Sequence, residues 1–531
     1  MTSERSGGQH VCAALNAAGC DVIFSVSGNQ ILPIYDAAAD AGLRIIHTRH
    51  ESAAAYAAAA YAELTGRTGV ALTSAGPGFL ASLQGVAAAG AMELPVLLLS
   101  GDSAASQRGW GAFQELDQET VASAVCKANF AVNRTADIPT LIAEASRTAA
   151  SGVPGPVHVS LPGDILSDFA TASAAATGLE PPLLTSDEQA LIDAIAGQLG
   201  AAKRPLILAR PSVARGRSGE HLHALARTLG IEPVVIEAPR GLADLKYASI
   251  NPRFVDSDCA LVLAPPDFAL GFLGTETVAR EGAVLLVDAG GDPESRRKPD
   301  LHVRADYTAV LERLRSQFGS APEVERDWSS LWPLPAPPGP EQDQNGAIHP
   351  LAVSEAVRAA IRPDDVIILD GGEFCQWIRL GLRDLSNPVL WNGKIGAIGG
   401  GIPMAVGAAV AVGESGRRVI AIMGDGAAGY HLSEFETMDR YELPVTVIIG
   451  NDARWAAEWH LQVARYGPDR TFETDLTNAR YDNVASGFQA AGEHITRAHD
   501  LPGAIHEAIG RRQATCINVE IAALPSPAAM S

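Results

Sequence analysis

The string Met423-Gly424-Asp425-Gly426, followed after twenty-four residues by Asn451-Asp452, constrains this chain more than any other feature. Val419 to Met423 is an unbroken apolar run that reads as a buried parallel strand. Glycines on both sides of Asp425 let the backbone pass close to a bulky polar ligand. A helical segment from about Leu432 to Tyr441 and a second apolar run, Val445 to Gly450, then carry Asn451 to the end of the next strand. In parallel sheets ligands collect beyond the carboxyl ends of the strands, so Asp425 and Asn451 converge on one ion, with the carbonyl of Ala453 as a third donor. Three such donors suit Mg2+, which takes its remaining oxygens from phosphates and water. Gly-Asp-Gly alone is a common turn. The expectation of a magnesium diphosphate site, lined by Gly424, Asp425, Gly426 and Ala427, therefore depends on its surroundings.

With 531 residues, 47% of them hydrophobic and 19% charged, the chain can fill about three domains. Short β-branched runs alternate with alanine-rich stretches from Val22 to about Leu166, the sequence form of parallel βαβ units. Strands are expected at Asp21 to Val26, Arg44 to Thr48, Val70 to Ser74, Val96 to Ser100 and Val157 to Ser160, with a helix over Ser52 to Thr65. Asp168 to Asp187 reads as a linker, and the proline-rich stretch from Gly319 to Asn345 as a second one. The expected fold class is α/β, with three domains of parallel sheets flanked by helices over 1–167, 188–318 and 346–531. A formal net charge of -21 disfavours nucleic acid and anionic membrane partners. Six scattered cysteines with no CxxC pair suit a reducing compartment, and no apolar run of about eighteen residues occurs, so a cytoplasmic location is expected.

The second constellation is Arg49-His50-Glu51-Ser52, where a strand ending near Thr48 becomes an alanine-rich helix. An isolated glutamate there would be stabilised by the helix dipole and need no other role. Its position at a strand's carboxyl end also places it where a cofactor ring could lie.

Taken together, RHESAAAYAAAAYAELTGRTGVALTSAGPG at 49–78, GAFQELDQ at 111–118, GPVHVSLPGDIL at 155–166 and the GDG string with its distant Asn resemble the thiamine-diphosphate-dependent family of acetolactate synthases, benzaldehyde lyase, 2-hydroxyacyl-CoA lyases and oxalyl-CoA decarboxylases. The resemblance covers essentially the whole chain. It implies a pyrimidine-binding domain, a central domain and a diphosphate-binding domain, thiamine diphosphate and Mg2+ as cofactors, and active sites between subunits of a homodimer or homotetramer. Glu51 would then hydrogen-bond N1′ of the aminopyrimidine and favour the imino tautomer that removes the thiazolium C2 proton. Such a carboxyl works best when buried against a neutral heterocycle. The resemblance also implies that Ile398 supports the bent cofactor between its rings, that the Gly396 carbonyl holds the 4′-amino group, and that the loop Gly372-Glu373-Phe374 approaches the diphosphate, although Glu373 has the wrong charge for an anion.

Within the family the signals divide. Leu32 to Ala37 resembles acetolactate synthases, whereas Trp455 to Gln462 follows the benzaldehyde lyase pattern, with Leu461 where the synthases carry a tryptophan. The short path from Arg240-Gly241-Leu242 to the next strand omits the segment that contacts flavin in the synthases, so FAD is not expected. Gln30 stands where benzaldehyde lyase has a catalytic histidine; a glutamine can orient a substrate but cannot titrate. Gln114 keeps the family's pocket glutamine. The substrate pocket is expected from Asn29, Gln30, Gln114, Trp455, Trp459 and His460. Lys127 could neutralise a substrate carboxylate, a solvated surface lysine being the plainer reading. The expected partners are small carbonyl compounds, and the expected reaction makes or cleaves 2-hydroxy ketones. The alternatives are decarboxylation and carboligation of 2-oxo acids, as in acetolactate synthase, and a noncatalytic scaffold on the same fold.

Overall fold

The computed structural model describes residues 4–172, 184–237, 247, 251–265, 279, 281–288, 298–318, 340–383, 385–393 and 395–526. The chain divides into two compact units, one combining Met1–Ala176 with Ala336–Ser531, the other Thr177–Pro335. The first and last thirds of the sequence thus fold together.

Apolar runs too short for helices form the N-terminal sheet: β1 (Val22–Ser25), β2 (Arg44–His47), β3 (Gly69–Thr73), β4 (Val96–Asp102), β5 (Ala128–Ala131) and β6 (Val157–Pro162). Its order is β2-β1-β3-β4-β6-β5, all parallel. β3, β4 and β6 are buried along their whole length, as strands covered by helices on both faces must be. The second unit carries a parallel five-stranded sheet, β7 (Pro205–Ala209), β8 (Pro233–Val235), β9 (Cys259–Leu263), β10 (Ala283–Asp288) and β11 (Leu301–Arg304), in the order β8-β7-β9-β10-β11. The C-terminal sheet comprises β12 (Val366–Leu369), β13 (Val389–Trp391), β14 (Val419–Gly424), β15 (Val445–Asn451), β16 (Ala491–Ile495) and β17 (Thr515–Glu520), in the order β13-β12-β14-β15-β17-β16. It is parallel throughout and repeats the N-terminal strand order one for one.

The two six-stranded sheets share one hydrophobic core, and α1 (Glu51–Thr65) lies at its centre. Its sequence, ESAAAYAAAAYAELT, is apolar nearly all round and is buried from Ser52 to Ala62. Small side chains let two neighbours approach at backbone distance. A Cβ on Gly85 of α2 (Pro77–Ala91) would stand 2.7 Å from the Ser52 carbonyl, and one on Gly407, in the helix Gly401–Val412, would stand 2.1 Å from the Ala57 carbonyl.

Two sequence expectations need correction. The stretch after Asp168 is not wholly a linker, because Phe169–Ala170 pairs antiparallel with Arg5–Ser6 and a helix begins at Ser186. The edge strand β5 was not expected, since Ala-Asn-Phe-Ala offers neither alternation nor a β-branched run. The proline-rich 319–339, the flavin-related 240–242 and Lys394 lie outside the described residues. Among those described, no helix is long and apolar enough to cross a membrane.

Candidate functional site

Beyond the carboxyl ends of β12, β14 and β15 lies a cleft of about 590 Å³, its open mouth included, walled by Gly371 to Phe374, Ile398, Gly424 to Ala427, Gly450, Asp452 and Arg454 to Glu458. Asp425 follows β14 and is 2% exposed. Its Oδ1 accepts from the Gly426 N–H at 2.9 Å, while Oδ2 is buried without a hydrogen-bond partner. Burial raises its pKa to about 6. Asp452 is raised further, to about 7, by burial and then by the charge on Asp425. Two carboxyls that resist ionisation side by side form a site that a divalent cation would relieve.

Glycines leave room for a second ligand group. Nothing stands within 4 Å of where a Cβ on Gly372 would sit, and at Gly424 only the Phe374 Cβ is that near, at 4.0 Å. Gly372, at φ +101°, precedes α3 (Glu373–Gly381) without a side-chain cap, so the first-turn N–H groups of this helix are available to an anion. The Phe374 ring fills the notch at Gly450, and the Trp455 ring that at Gly426. An unpartnered carboxylate oxygen beside an open glycine cradle and a helix N-terminus fits a metal diphosphate.

The sequence-predicted members of this half have partners that the sequence did not show. Asn451 is buried at the end of β15, but its amide nitrogen donates to Asn478 Oδ1, the Ala479 carbonyl and Asn518 Oδ1 at 3.0–3.2 Å. Its Oδ1 accepts from the Ala453 N–H at 3.1 Å, and the Ala453 carbonyl accepts from the Leu476 N–H. Neither Asn451 nor Ala453 lines the cleft; Asp452 does. Glu373 lines the cleft, and its carboxylate accepts the Ser526 N–H and stands 3.8 Å from His460 Nδ1. The charge that seemed wrong for a phosphate loop therefore has partners of its own. His460 is buried, and burial lowers its pKa. Trp459 stacks under the Arg454 guanidinium at 4.5 Å. Gly396, at φ +67°, and Ile398 sit on the turn before the Gly401–Val412 helix, and Ile398 reaches the cleft.

Asp370, which the sequence reading missed, organises this half. One oxygen accepts from the Gly371 N–H, Asn392 Nδ2 and the Gly399 N–H at 2.6, 2.6 and 3.1 Å, and the other from the Gly401 N–H at 2.7 Å. It ties the Gly372 loop to the Ile398 turn. The available signal was an aspartate between the apolar run of β12 and a glycine pair, the same form as Asp425.

The N-terminal half presents a different group. Glu51 is half-buried as the first residue of α1, capped by His50, which accepts the Ser52 N–H. A Cβ on Gly78 would stand 3.3 Å from Glu51 Oε1 and 3.4 Å from the Ser74 Cβ. Ser74, another residue without an assigned role in the sequence, donates to Gln30 Oε1 at 2.6 Å, and Gln30 Nε2 donates to Gln114 Oε1 at 2.8 Å. Gln114 holds a left-handed backbone, φ +62°, for which a non-glycine residue requires surrounding support. Asn29 is exposed on the turn beside Gln30. Lys127 takes no part: its ammonium donates to the carbonyls of Thr148, Ser151 and Val153. None of Glu51, Asn29, Gln30 and Gln114 lines the Asp425 cleft.

The N-terminal thiamine pyrophosphate binding domain of thiamine pyrophosphate enzymes matches residues 5–121, and their C-terminal thiamine pyrophosphate binding domain matches 370–519. An acetolactate synthase large subunit, IlvG, of Mycobacterium tuberculosis is 28% identical over 96% of this chain and 95% of its own length. The 2-hydroxyacyl-CoA lyase 2 of Mus musculus is 29% identical over 93% and 86%, and that of Homo sapiens 28% identical over 94% and 86%.

Proposed function

Because the chain belongs to the thiamine-diphosphate-dependent enzyme family, we propose that it makes or cleaves the carbon–carbon bond of 2-hydroxy ketones, with Mg2+ anchoring the cofactor at Asp425. When bound, thiamine diphosphate supplies a carbon nucleophile and an electron sink for cleavage beside a carbonyl. The protein's part is to hold and orient. Asp425, with the neighbouring Asp452, faces the metal; the Gly372 loop and the start of α3 face the diphosphate; Ile398 supports the rings; and Glu51 holds a proton at the pyrimidine.

The single observation that carries the choice of reaction is the Ser74–Gln30–Gln114 chain beside Glu51. Three neutral hydrogen-bonding groups orient a carbonyl or hydroxyl oxygen without exchanging protons with it, and none offers a positive charge to a carboxylate. That favours neutral ketones and aldehydes over 2-oxo acids. The likeness to acetolactate synthase favours the second reading, decarboxylation and carboligation of pyruvate. The described lining of the Asp425 cleft includes none of Glu51, Gln30 and Gln114, which supports a homodimer or homotetramer whose subunits complete each other's sites.

The deciding experiment supplies the reconstituted enzyme separately with pyruvate and with an aromatic 2-hydroxy ketone, following CO2 release and aldehyde formation by proton NMR. Aldehyde from the hydroxy ketone without CO2 from pyruvate is expected. CO2 release with acetolactate formation would replace this reading with the second.

A further inference from the structure

His431 is 3% exposed and reaches both halves of the first unit. Its Nδ1 lies 2.6 Å from the Gly399 carbonyl, which can only accept, so Nδ1 carries the hydrogen. Burial holds the ring neutral, with a pKa lowered to about 4. Nε2 is then an acceptor, and Ser52 Oγ donates to it at 2.7 Å. Ser52 is the second residue of α1, directly after Glu51, and is 1% exposed. The same hydroxyl lies 2.8 Å from His50 Nδ1, which already accepts the Ser52 N–H, so one hydrogen faces two imidazole nitrogens. The ring is packed edge-on against His50 and Tyr56.

At the other end, Gly399 is held from two sides, its N–H by Asp370 and its carbonyl by His431. This residue follows Ile398 and takes a left-handed φ of +87°. One imidazole therefore joins the turn that carries Ile398 to the start of the helix that carries Glu51. We infer that His431 is a positioning residue, fixing Glu51 and the Ile398 turn relative to each other. The inference rests on the proposed roles of Glu51 and Ile398. If subunits complete each other's sites, those two residues of one chain serve different active sites, and His431 is a physical link between them.

Two variants separate the ends of this bridge. Ser52→Ala removes the hydroxyl, whereas His431→Asn keeps a short donor for the Gly399 carbonyl but cannot reach Ser52. In the cofactor-free protein, amide hydrogen exchange should rise over 396–401 in Ser52→Ala and over 49–54 in His431→Asn. With cofactor and Mg2+, each should slow C2–H exchange of bound thiamine diphosphate by about 10–100-fold, the scale of a small misplacement of a reacting group. The dissociation constant of the cofactor should stay within about twofold, and the double variant should be no slower than the slower single one, as for residues acting as a unit. Unchanged amide exchange in both variants would overturn the bridge. So would cofactor affinity and melting temperature falling in step with the rate, which marks a merely structural contact. A wild-type protein that binds cofactor without exchanging C2–H would instead sink the reading of Glu51, and the amide exchange would still decide the bridge.

Discussion

The two six-stranded sheets have the same strand order and do different work. Loops at equivalent places carry the functional groups: Gly28 to Gln30 after β1 matches Gly371 to Glu373 after β12, and Ser74 to Gly78 after β3 matches Gly424 to Gly426 after β14. In the C-terminal half these loops surround a cleft with two carboxyls whose pKa values burial raises. In the N-terminal half they hold neutral amides and a hydroxyl, and a carboxylate beside them, Glu51, opens the helix after the edge strand β2. The scaffold therefore fixes where groups appear, at strand ends, and the loop residues fix what is bound there.

The largest expected effect tests whether Glu51 is the acting group of the N-terminal half. Glu51→Gln should lower turnover by about two to four orders of magnitude, the range for lost acid–base assistance, while calorimetric binding of Mg2+ and cofactor persists. Wild-type turnover would remove Glu51 from the comparison altogether. Asp425→Asn should do the opposite, weakening Mg2+-dependent cofactor binding at least about 100-fold, the upper end of what losing an outer-shell partner costs a metal site. Unchanged affinity would place the metal elsewhere. The contact joining the halves is sharpened by Gly407→Leu, whose side chain has no room against the Ala57 carbonyl and should cost about 1–3 kcal/mol in a melting experiment.

The smallest effect concerns Glu434, which is fully buried and accepts the Arg49 N–H just before Glu51, at 3.0 Å. Burial raises its pKa to about 7, above the ordinary carboxylate value near 4.3. The folded protein thus holds the proton more tightly than the unfolded chain. The stabilisation this brings is complete below about pH 4 and is lost as pH rises through 7. The melting temperature of wild type relative to Glu434→Gln should accordingly fall between pH 5 and 8, and a constant difference would refute the assignment.

Much of this was legible in the sequence because parallel strands buried on both faces are plain apolar runs. The boundaries expected for β2, β4 and β14 lie within two residues of those observed. Asp425 and Glu51 were legible for the same reason, since each directly follows such a run or opens the next helix. Side-chain direction was not. The sequence could not show that the Asn451 amide nitrogen donates to Asn478 and Asn518 from distant segments. Asp370 left a signal in its place after an apolar run, but what it and His431 hold was invisible for a similar reason: their partners, Gly399 and Ser52 among them, are brought to them only by tertiary folding. The repeated strand order was hard to read from the residues, since little besides Glu-Leu-Pro-Val at 93–96 and 442–445, entering the equivalent strands β4 and β15, marks it.

The alanine-rich helix α1 has a consequence for how the chain is made. Its apolar surface is covered by the helix Gly401–Val412, which leaves the ribosome roughly 340 residues later, a delay of about 20–70 s at ordinary rates of synthesis. For that interval the nascent N-terminal sheet exposes a surface as sticky as a domain core. A surface of that kind, exposed during translation, is what chaperones hold until its covering helix arrives.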